Sequence, residues 1–363
     1  MKKITCLVAS LRSGGAEHQM AILAELLAEK GYDVELVTYM SIPDHYTLSE
    51  KVKRVRIHTP KRALFKVPYL IYKFSRFKCD TIISFLNTTN FMCIAGNILH
   101  SKQKVIVGER NLTVGKPPLI DQILYKYLYK LTKYVVTNSY SQYDFLCNYN
   151  SELKPKLSTI TNYTDIDKYH PSIYKGNDIP KIVVFARYSK QKNYEMLVNA
   201  VALARRSNDF EMHWYGEKRD FFGEYLDDYK KCEELVKDAG IENTFILHDK
   251  TDKVDTVMKE YDAFCLPSLF EGFSNSISEA ICCGMPVICS DVSDNHIMVE
   301  DGSNGFLFNP SDVNSISESI SKFCKLSRDE RVSMAQKSRI KAETLFNKEQ
   351  FVNSYIDLIE KEV

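Results

Sequence analysis

Short β-branched runs alternate with stretches of helical period along the first half of the chain. Residues 4–9 form an apolar run of strand length. Residues 16–30 then place Met20, Leu23, Ala24, Leu27 and Ala28 on one helical face and stop at Gly31, and residues 33–39 form a second apolar run. Strand, glycine loop, helix, strand is a βαβ unit, which predicts a parallel, doubly wound sheet. Further strands are expected at 81–85, 104–108 and 134–138. Residues 158–171, with the following 172–180, are polar, hold prolines and a glycine, and lack apolar periodicity, so they read as a domain linker. The same grammar then restarts. Strands are expected at 181–186, 211–215, 244–247, 263–267 and 287–290, and helices at 194–205, 226–239, 254–260 and 276–283. The expected fold class is therefore α/β, with two Rossmann-like doubly wound domains facing across a cleft and a ligand at the strands' carboxyl ends.

The length of 363 residues agrees with two domains. The two lysines and apolar run at the start could pass for a truncated signal peptide. A first strand is the better reading, because a glycine loop with Arg12 and Glu17 follows where a cleavage site would stand. No apolar stretch reaches the roughly 18 to 20 residues of a spanning helix. The ten cysteines show no Cys-x-x-Cys spacing and are expected as reduced core thiols of a cytoplasmic protein, not zinc ligands. Charge changes the picture more. Residues 1–178 carry 25 Lys and Arg against 15 Asp and Glu, and the remainder 23 against 32, so the halves bear +10 and −9. A basic half fits an anionic partner, although basic faces are commonly just solvated.

Two segments carry candidate chemistry. In Leu11-Arg-Ser-Gly-Gly-Ala-Glu17, between the first strand and helix, Gly14 and Gly15 let backbone amides and the helix N-terminus approach a phosphate or sugar. The plain alternative is a tight turn without a ligand. The loop is not the GxGxxG fingerprint, which disfavours a nicotinamide-dependent enzyme. In residues 267–286, PSLFEGFSNSISEAICCGMP, Glu271 and Glu279 stand eight residues apart. The first is expected in a loop and the second in the first turn of a helix, where Ser276 and Glu279 would also make a ligand-free capping box.

This segment resembles the E-x7-E signature of retaining glycosyltransferases of family 4, and the order of the chain around it is similar to that family throughout. Ser13-Gly-Gly-Ala-Glu17 resembles its N-terminal glycine loop. Residues 160–171, ITNYTDIDKYHP, resemble its interdomain Asn-Gly-Val-Asp…Phe-x-Pro segment, with Asn162, Asp165 and Pro171 matching. Residues 185–193, FARYSKQKN, resemble its Gly-Arg…Lys-Asn turn, with Arg187 and Lys192 in place. The resemblance implies a GT-B architecture with an acceptor-binding domain at 1–170, a nucleotide-sugar domain at 171–348, and a helix at 349–363 crossing back to the first. It also implies that Arg187 and Lys192 hold the donor diphosphate and that Glu279 binds the ribose. Glu271, with Gly272, Phe273, Ser274 and Asn275, would lie against the donor. Metal independence is typical of such enzymes, so the resemblance implies no cofactor, and the nucleotide sugar is a substrate. Two departures stand out. Arg110, in Gly108-Glu109-Arg110-Asn111, occupies the place where many relatives have a histidine, so its catalytic role is as a permanent donor. The second glycine after Gly216 is replaced, the chain running Gly216-Glu217-Lys218.

The acceptor is read from the basic half. Residues 61–78, KRALFKVPYLIYKFSRFK, interleave cations with aromatic and aliphatic residues, and residues 116–133 repeat the flavour. Such segments suit an anionic membrane surface, with Phe65 and Phe74 expected to insert, while ordinary packed helices with solvated lysines remain the alternative. The stretch 84–95 and the loop at 108–111 look like the subgroup that extends undecaprenyl-diphosphate-linked glycans. The leading reading is a bacterial enzyme, cytoplasmic and peripheral on the inner membrane face, moving a sugar from a UDP-sugar to a lipid-linked saccharide. A UDP-sugar 2-epimerase of the same architecture and a sugar-nucleotide binding module without turnover are the alternatives. A nucleic-acid partner is not expected, since no recognised motif accompanies the aromatics.

Overall fold

The structure is a computed structural model and describes residues 1–100, 103–171, 176–220 and 223–361. The chain divides into one unit of Met1–Tyr163 with Lys348–Val363 and a second of Thr164–Asn347.

In the first unit, strands β1 (Lys3–Leu7), β2 (Asp33–Thr38), β3 (Val52–Arg56), β4 (Thr81–Phe85), β5 (Lys104–Glu109), β6 (Tyr134–Thr137) and β7 (Leu157–Thr159) form one sheet. Its order is β3-β2-β1-β4-β5-β6-β7, parallel throughout, as the βαβ reading requires. Helices α1 (Gly15–Glu29), α2 (Ala63–Phe74), α3 (Asn87–His100), α4 (Leu119–Lys126) and α5 (Tyr140–Tyr149) make the connections. Strands buried on both faces read as apolar runs, and β4 is buried at every position.

The second unit has strands β8 (Lys181–Phe185), β9 (Glu211–Gly216), β10 (Phe245–Asp249), β11 (Ala263–Leu266), β12 (Val287–Ser290) and β13 (Gly305–Phe308), ordered β10-β9-β8-β11-β12-β13 and again parallel. Its helices are α6 (Tyr194–Ala204), α7 (Asp227–Asp238), α8 (Val254–Val257), α9 (Asn275–Cys282), α10 (Asn295–Met298), α11 (Val313–Cys324) and α12 (Arg328–Leu345). One sheet face packs Trp214, Met212 and Val184 against Leu197, Val201, Ile316 and Ile320 of α6 and α11. All ten cysteines are free thiols, seven of them buried.

The last helix, α13 (Lys348–Glu360), belongs to the first unit. Phe351, Val352, Tyr355 and Ile359 recur at helical spacing and are buried, with Phe351 stacked on Tyr163 at 5.5 Å. Lys104 Nζ donates to the carbonyls of Ile359 at 2.7 Å and Lys361 at 3.0 Å, so a cation of β5 satisfies the helix's free C-terminal acceptors.

The expected linker differs in two respects. Its start is β7, which pairs with β6 because short polar strands at a sheet edge need only backbone partners. The units divide after Tyr163, seven residues before the expected 170/171 boundary, because residues 165–169 are hydrogen-bonded into the second unit. Residues 172–175 of that stretch lie outside the described residues.

Candidate active site

Two loops at adjacent strand ends of the second unit are stitched together. Strands β8 and β11 are neighbours, so the chain leaving each emerges beside the other at the sheet's carboxyl edge. After β8, Arg187 precedes a single 3-10 turn, Lys190–Lys192. Leu269 N donates to Gln191 O at 2.9 Å, Gln191 Nε2 donates to Phe270 O at 3.0 Å, and Lys192 Nζ donates to Glu271 Oε1 at 2.5 Å. Asn193 follows in the left-handed region (φ 59°, ψ 39°) and donates from Nδ2 to Pro310 O at 2.9 Å, which turns the chain directly into α6. The Lys192 and Glu271 side chains are only 14% and 11% exposed. A largely desolvated ammonium is thus held by a carboxylate, while the neighbouring Arg187 is exposed and makes no ion pair among the described residues. Gly216 closes β9 beside this edge. A Cβ there would lie 2.5 Å from Ala186 O, which Trp214 Nε1 already contacts at 2.8 Å.

The loop after β11 leads into α9. Ser274 caps the helix through its hydroxyl, which accepts from Ile277 N at 3.4 Å, and Asn275 opens it. Phe273 is buried edge-on against Phe346 at 6.3 Å, which anchors the half-buried Gly272 between fixed neighbours. The expected capping box of Ser276 and Glu279 does not form. Ser274 holds the cap, so Glu279 lies in the second turn of α9 rather than the first. The Tyr169 hydroxyl and Lys168 lie near its carboxyl. Burial pushes that carboxyl up to about 7, with Asp255 adding to the rise and the nearby Tyr169 hydroxyl and Lys168 opposing it.

The first unit holds the remaining expected site residues. Gly14 caps α1 in extended conformation with no side-chain cap, and Gly15 opens the helix. The Glu17 carboxylate folds back so closely that a Cβ on Gly14 would lie 2.4 Å from its Oε2. Glu17 is buried and takes a hydrogen bond from Arg12 Nε at 3.3 Å. Arg110 is also buried. Its guanidinium lies on the Phe85 ring, 3.7 Å from the centroid, and donates to the Tyr355 hydroxyl of α13 and to Asn162 Oδ1 at 3.4 Å, which leaves the buried Nε without a partner.

Sequence reasoning missed the neighbour of Arg110. Glu109 is fully buried, with its carboxylate accepting from the hydroxyls of Tyr129 and Tyr125 (3.2 Å to the latter) and from Gln142 Nε2 at 3.5 Å. Burial pushes it up to about 7 despite these donors. Tyr125 and Tyr129, read in sequence as part of a membrane-facing stretch, are therefore core residues. Among the described residues no group of three or more His, Cys, Asp or Glu side chains is placed to hold a metal ion.

With this geometry in hand, the similarities to known proteins become specific. Residues 165–341, nearly all of the second unit, match the family model for glycosyl transferases group 1. The chain is 25% identical over 314 residues to the Campylobacter jejuni N-acetylgalactosamine-N,N'-diacetylbacillosaminyl-diphospho-undecaprenol 4-alpha-N-acetylgalactosaminyltransferase, covering 80% of this chain and 81% of that one. Its fold is similar to that of sucrose-phosphate synthase from Thermosynechococcus elongatus, with a TM-score of 0.85 at 17% identity over 99% of this chain and 98% of that one. It is similar as well to that of Anabaena HepE in complex with UDP and glucose, with a TM-score of 0.77 at 19% identity over 98% and 99% of the two chains. The chain thus has two Rossmann-like units of GT-B type, and the second, which carries the stitched Lys192–Glu271 loops, is the part similar to the group 1 glycosyl transferases.

Proposed function

We propose that this protein is a retaining, metal-independent glycosyltransferase of family 4 that moves a hexosyl or N-acetylhexosaminyl group from a UDP-sugar to a lipid-linked saccharide. The observation that carries the reading is the Lys192–Glu271 pair locked by the Gln191 hydrogen bonds, with Glu279 eight residues further on. Glu271 holds the Lys192 ammonium in place, and Arg187 is a second cation open to an incoming anion. Together they stabilise the diphosphate as negative charge develops on it, and such fixed charges need no reorganisation during reaction. Gly272, Phe273, Ser274 and Asn275 offer backbone amides at the N-terminus of α9, and Glu279 takes the ribose hydroxyls. Gly14 and Gly15 leave the α1 amides uncapped for a ligand, and Arg110 keeps Nε–H for a sugar hydroxyl.

In this reading the bond between the anomeric carbon and the phosphate oxygen breaks with its electron pair going to the diphosphate. The acceptor oxygen bonds to that carbon on the same face, and its proton passes to the departing phosphate oxygen. Positioning and electrostatics then supply most of the acceleration.

The acceptor assignment draws on the diphospho-undecaprenol acceptor in the name of the Campylobacter relative, and the nucleotide on the UDP bound to HepE. Among the described residues no helix is long and apolar enough to cross a membrane. The first unit instead exposes Leu64, Phe65, Val67 and Tyr72 on α2 and Ile98 and Leu99 on the packed α3, among the cations of residues 61–78. We assign this face to an anionic membrane, which places the enzyme peripherally on the cytoplasmic side.

The test is incubation with UDP-, GDP- and dTDP-sugars, with and without undecaprenyl-diphosphate-linked saccharide, following nucleotide release and lipid product. A UDP-sugar should be consumed faster with the lipid acceptor. Lys192→Ala and Arg187→Ala should each lower turnover by about two orders of magnitude or more while cooperative melting persists. Wild-type rates in both variants would overturn the assignment of the diphosphate site.

A further inference from the structure

The sheet of the second unit packs one face on α6 and α11, and its other face carries a connected row of rings. Phe185, Tyr215 and His248 stand side by side in the register of β8, β9 and β10, at the carboxyl end of each strand. The Tyr215 ring stacks on Phe185 at 5.2 Å and on His248 at 4.3 Å, and its hydroxyl lies 3.0 Å from that of Tyr261. The strand end that bears His248 is tied to the loop after β8, because the hydroxyl of Tyr188, next to Arg187, donates to His248 O at 2.9 Å.

Hydrogen bonds fix where the protons sit in this row. Lys181 Nζ lies 3.3 Å from Glu211 Oε2, and hydrogen bonds from His213 and Lys181 hold that carboxyl below the usual carboxylate range. The carboxylate only accepts, so His213 Nε2, 3.1 Å away, carries a hydrogen. A neutral His213 then has its lone pair on Nδ1. That atom lies 2.9 Å from His248 Nε2, which must in turn be the N–H. Burial lowers His213 and pushes His248 down to about 4, with His213 and Lys218 adding to the latter, so both rings are neutral at pH 7. The chain of donors ends on the half-buried His248, whose Nδ1 is left as a lone pair with no hydrogen-bond partner among the described residues.

We propose that His248 reads the nucleobase of the donor, its Nδ1 accepting an imide N–H such as uracil carries at N3, and that His213 is the positioning residue that fixes this tautomer. The inference rests on the reading of Arg187 and Lys192 as the diphosphate cations. β10 stands two strands from β8, about 10 Å at sheet spacing, a span that a nucleoside diphosphate laid across the strand ends can bridge. Cytosine has a lone pair at N3 and would meet the lone pair of Nδ1, so one atom of the base decides between the two pyrimidines.

The experiment titrates UDP and CDP by calorimetry at pH 7 into wild type, His248→Phe, His213→Phe and Lys192→Ala, with thermal melting in parallel, and reads the ring nitrogens of isotope-labelled histidine by NMR. Wild type should bind UDP at least about tenfold more tightly than CDP. His248→Phe keeps a ring against Tyr215 and should lose about three- to tenfold in UDP affinity with CDP unchanged. His213→Phe should narrow the same ratio, and the His248 signal should move from the Nε2–H form towards a mixture of tautomers, a change that a packing role would not produce. An unchanged ratio in His248→Phe, or an Nδ1–H signal from His248 in wild type, beside UDP binding that still falls in Lys192→Ala, would overturn the base-reading role alone. Unchanged UDP affinity in Lys192→Ala, or no binding of either nucleotide, would remove the diphosphate assignment and this proposal with it. Should His248→Phe melt before the titration is complete, the wild-type ratio and the tautomer signal decide.

Discussion

Glu109 illustrates how one buried carboxyl couples chemistry to stability. Its ordinary value near 4.5 is pushed up to about 7 by burial, so the folded protein holds a proton there that the unfolded chain releases. A group raised in this way contributes stability that is fully present below about 4.5 and is lost as pH rises towards 7. The melting temperature of wild type should therefore fall relative to that of Glu109→Gln between pH 5 and 7, as followed by circular dichroism. A constant difference across that range would show that the tyrosine donors already cancel the burial. Arg110, one residue on, points to different partners because side chains at a strand's end alternate between faces.

Helix α2 shows how a single amphipathic element divides its aromatics. Phe65 is 52% exposed, whereas Phe74 is 1% exposed and stacks on Phe77 at 5.4 Å, so the expectation that both insert into a membrane holds geometrically only for Phe65. Nine residues separate them, and at 3.6 residues per turn they face opposite sides. Phe74→Ser should cost about 3 kcal/mol or more of stability by opening a core cavity and burying a hydroxyl, whereas Phe65→Ser should melt like wild type. With vesicles, Phe65→Ser should lower the salt-resistant part of binding. Equal melting of the two variants would contradict this division of faces.

At the scale of the whole molecule the charge is nearly balanced but unevenly placed, +10 in residues 1–178 and −9 in the remainder. If the basic half seeks anionic lipid, cosedimentation with phosphatidylglycerol-containing vesicles should fall as salt rises above physiological strength. Each cation reversed in residues 61–78 should weaken it by about 1 kcal/mol. Equal binding to neutral and anionic vesicles at every salt, or none, would remove the membrane from the account and favour a soluble acceptor.

Two parallel sheets, the main βαβ repeats, the amphipathic last helix and the E-x7-E spacing were all determined by the sequence alone. These features are local or periodic: β4 and β12 fall where their apolar runs lie, and Phe351, Val352, Tyr355 and Ile359 share a stripe that 3.6-residue periodicity reveals. The tertiary structure decided what polar side chains meet. Lys192 pairs with Glu271 across 79 residues, and Arg110 reaches Tyr355 across 245. Such contacts leave no period in the chain, since each depends on loop closures that no local window contains. The same holds for the cap of α9. The spacing of Ser276 and Glu279 suggested a capping box, whereas in the fold the cap is Ser274, next to the Phe273 ring buried against Phe346.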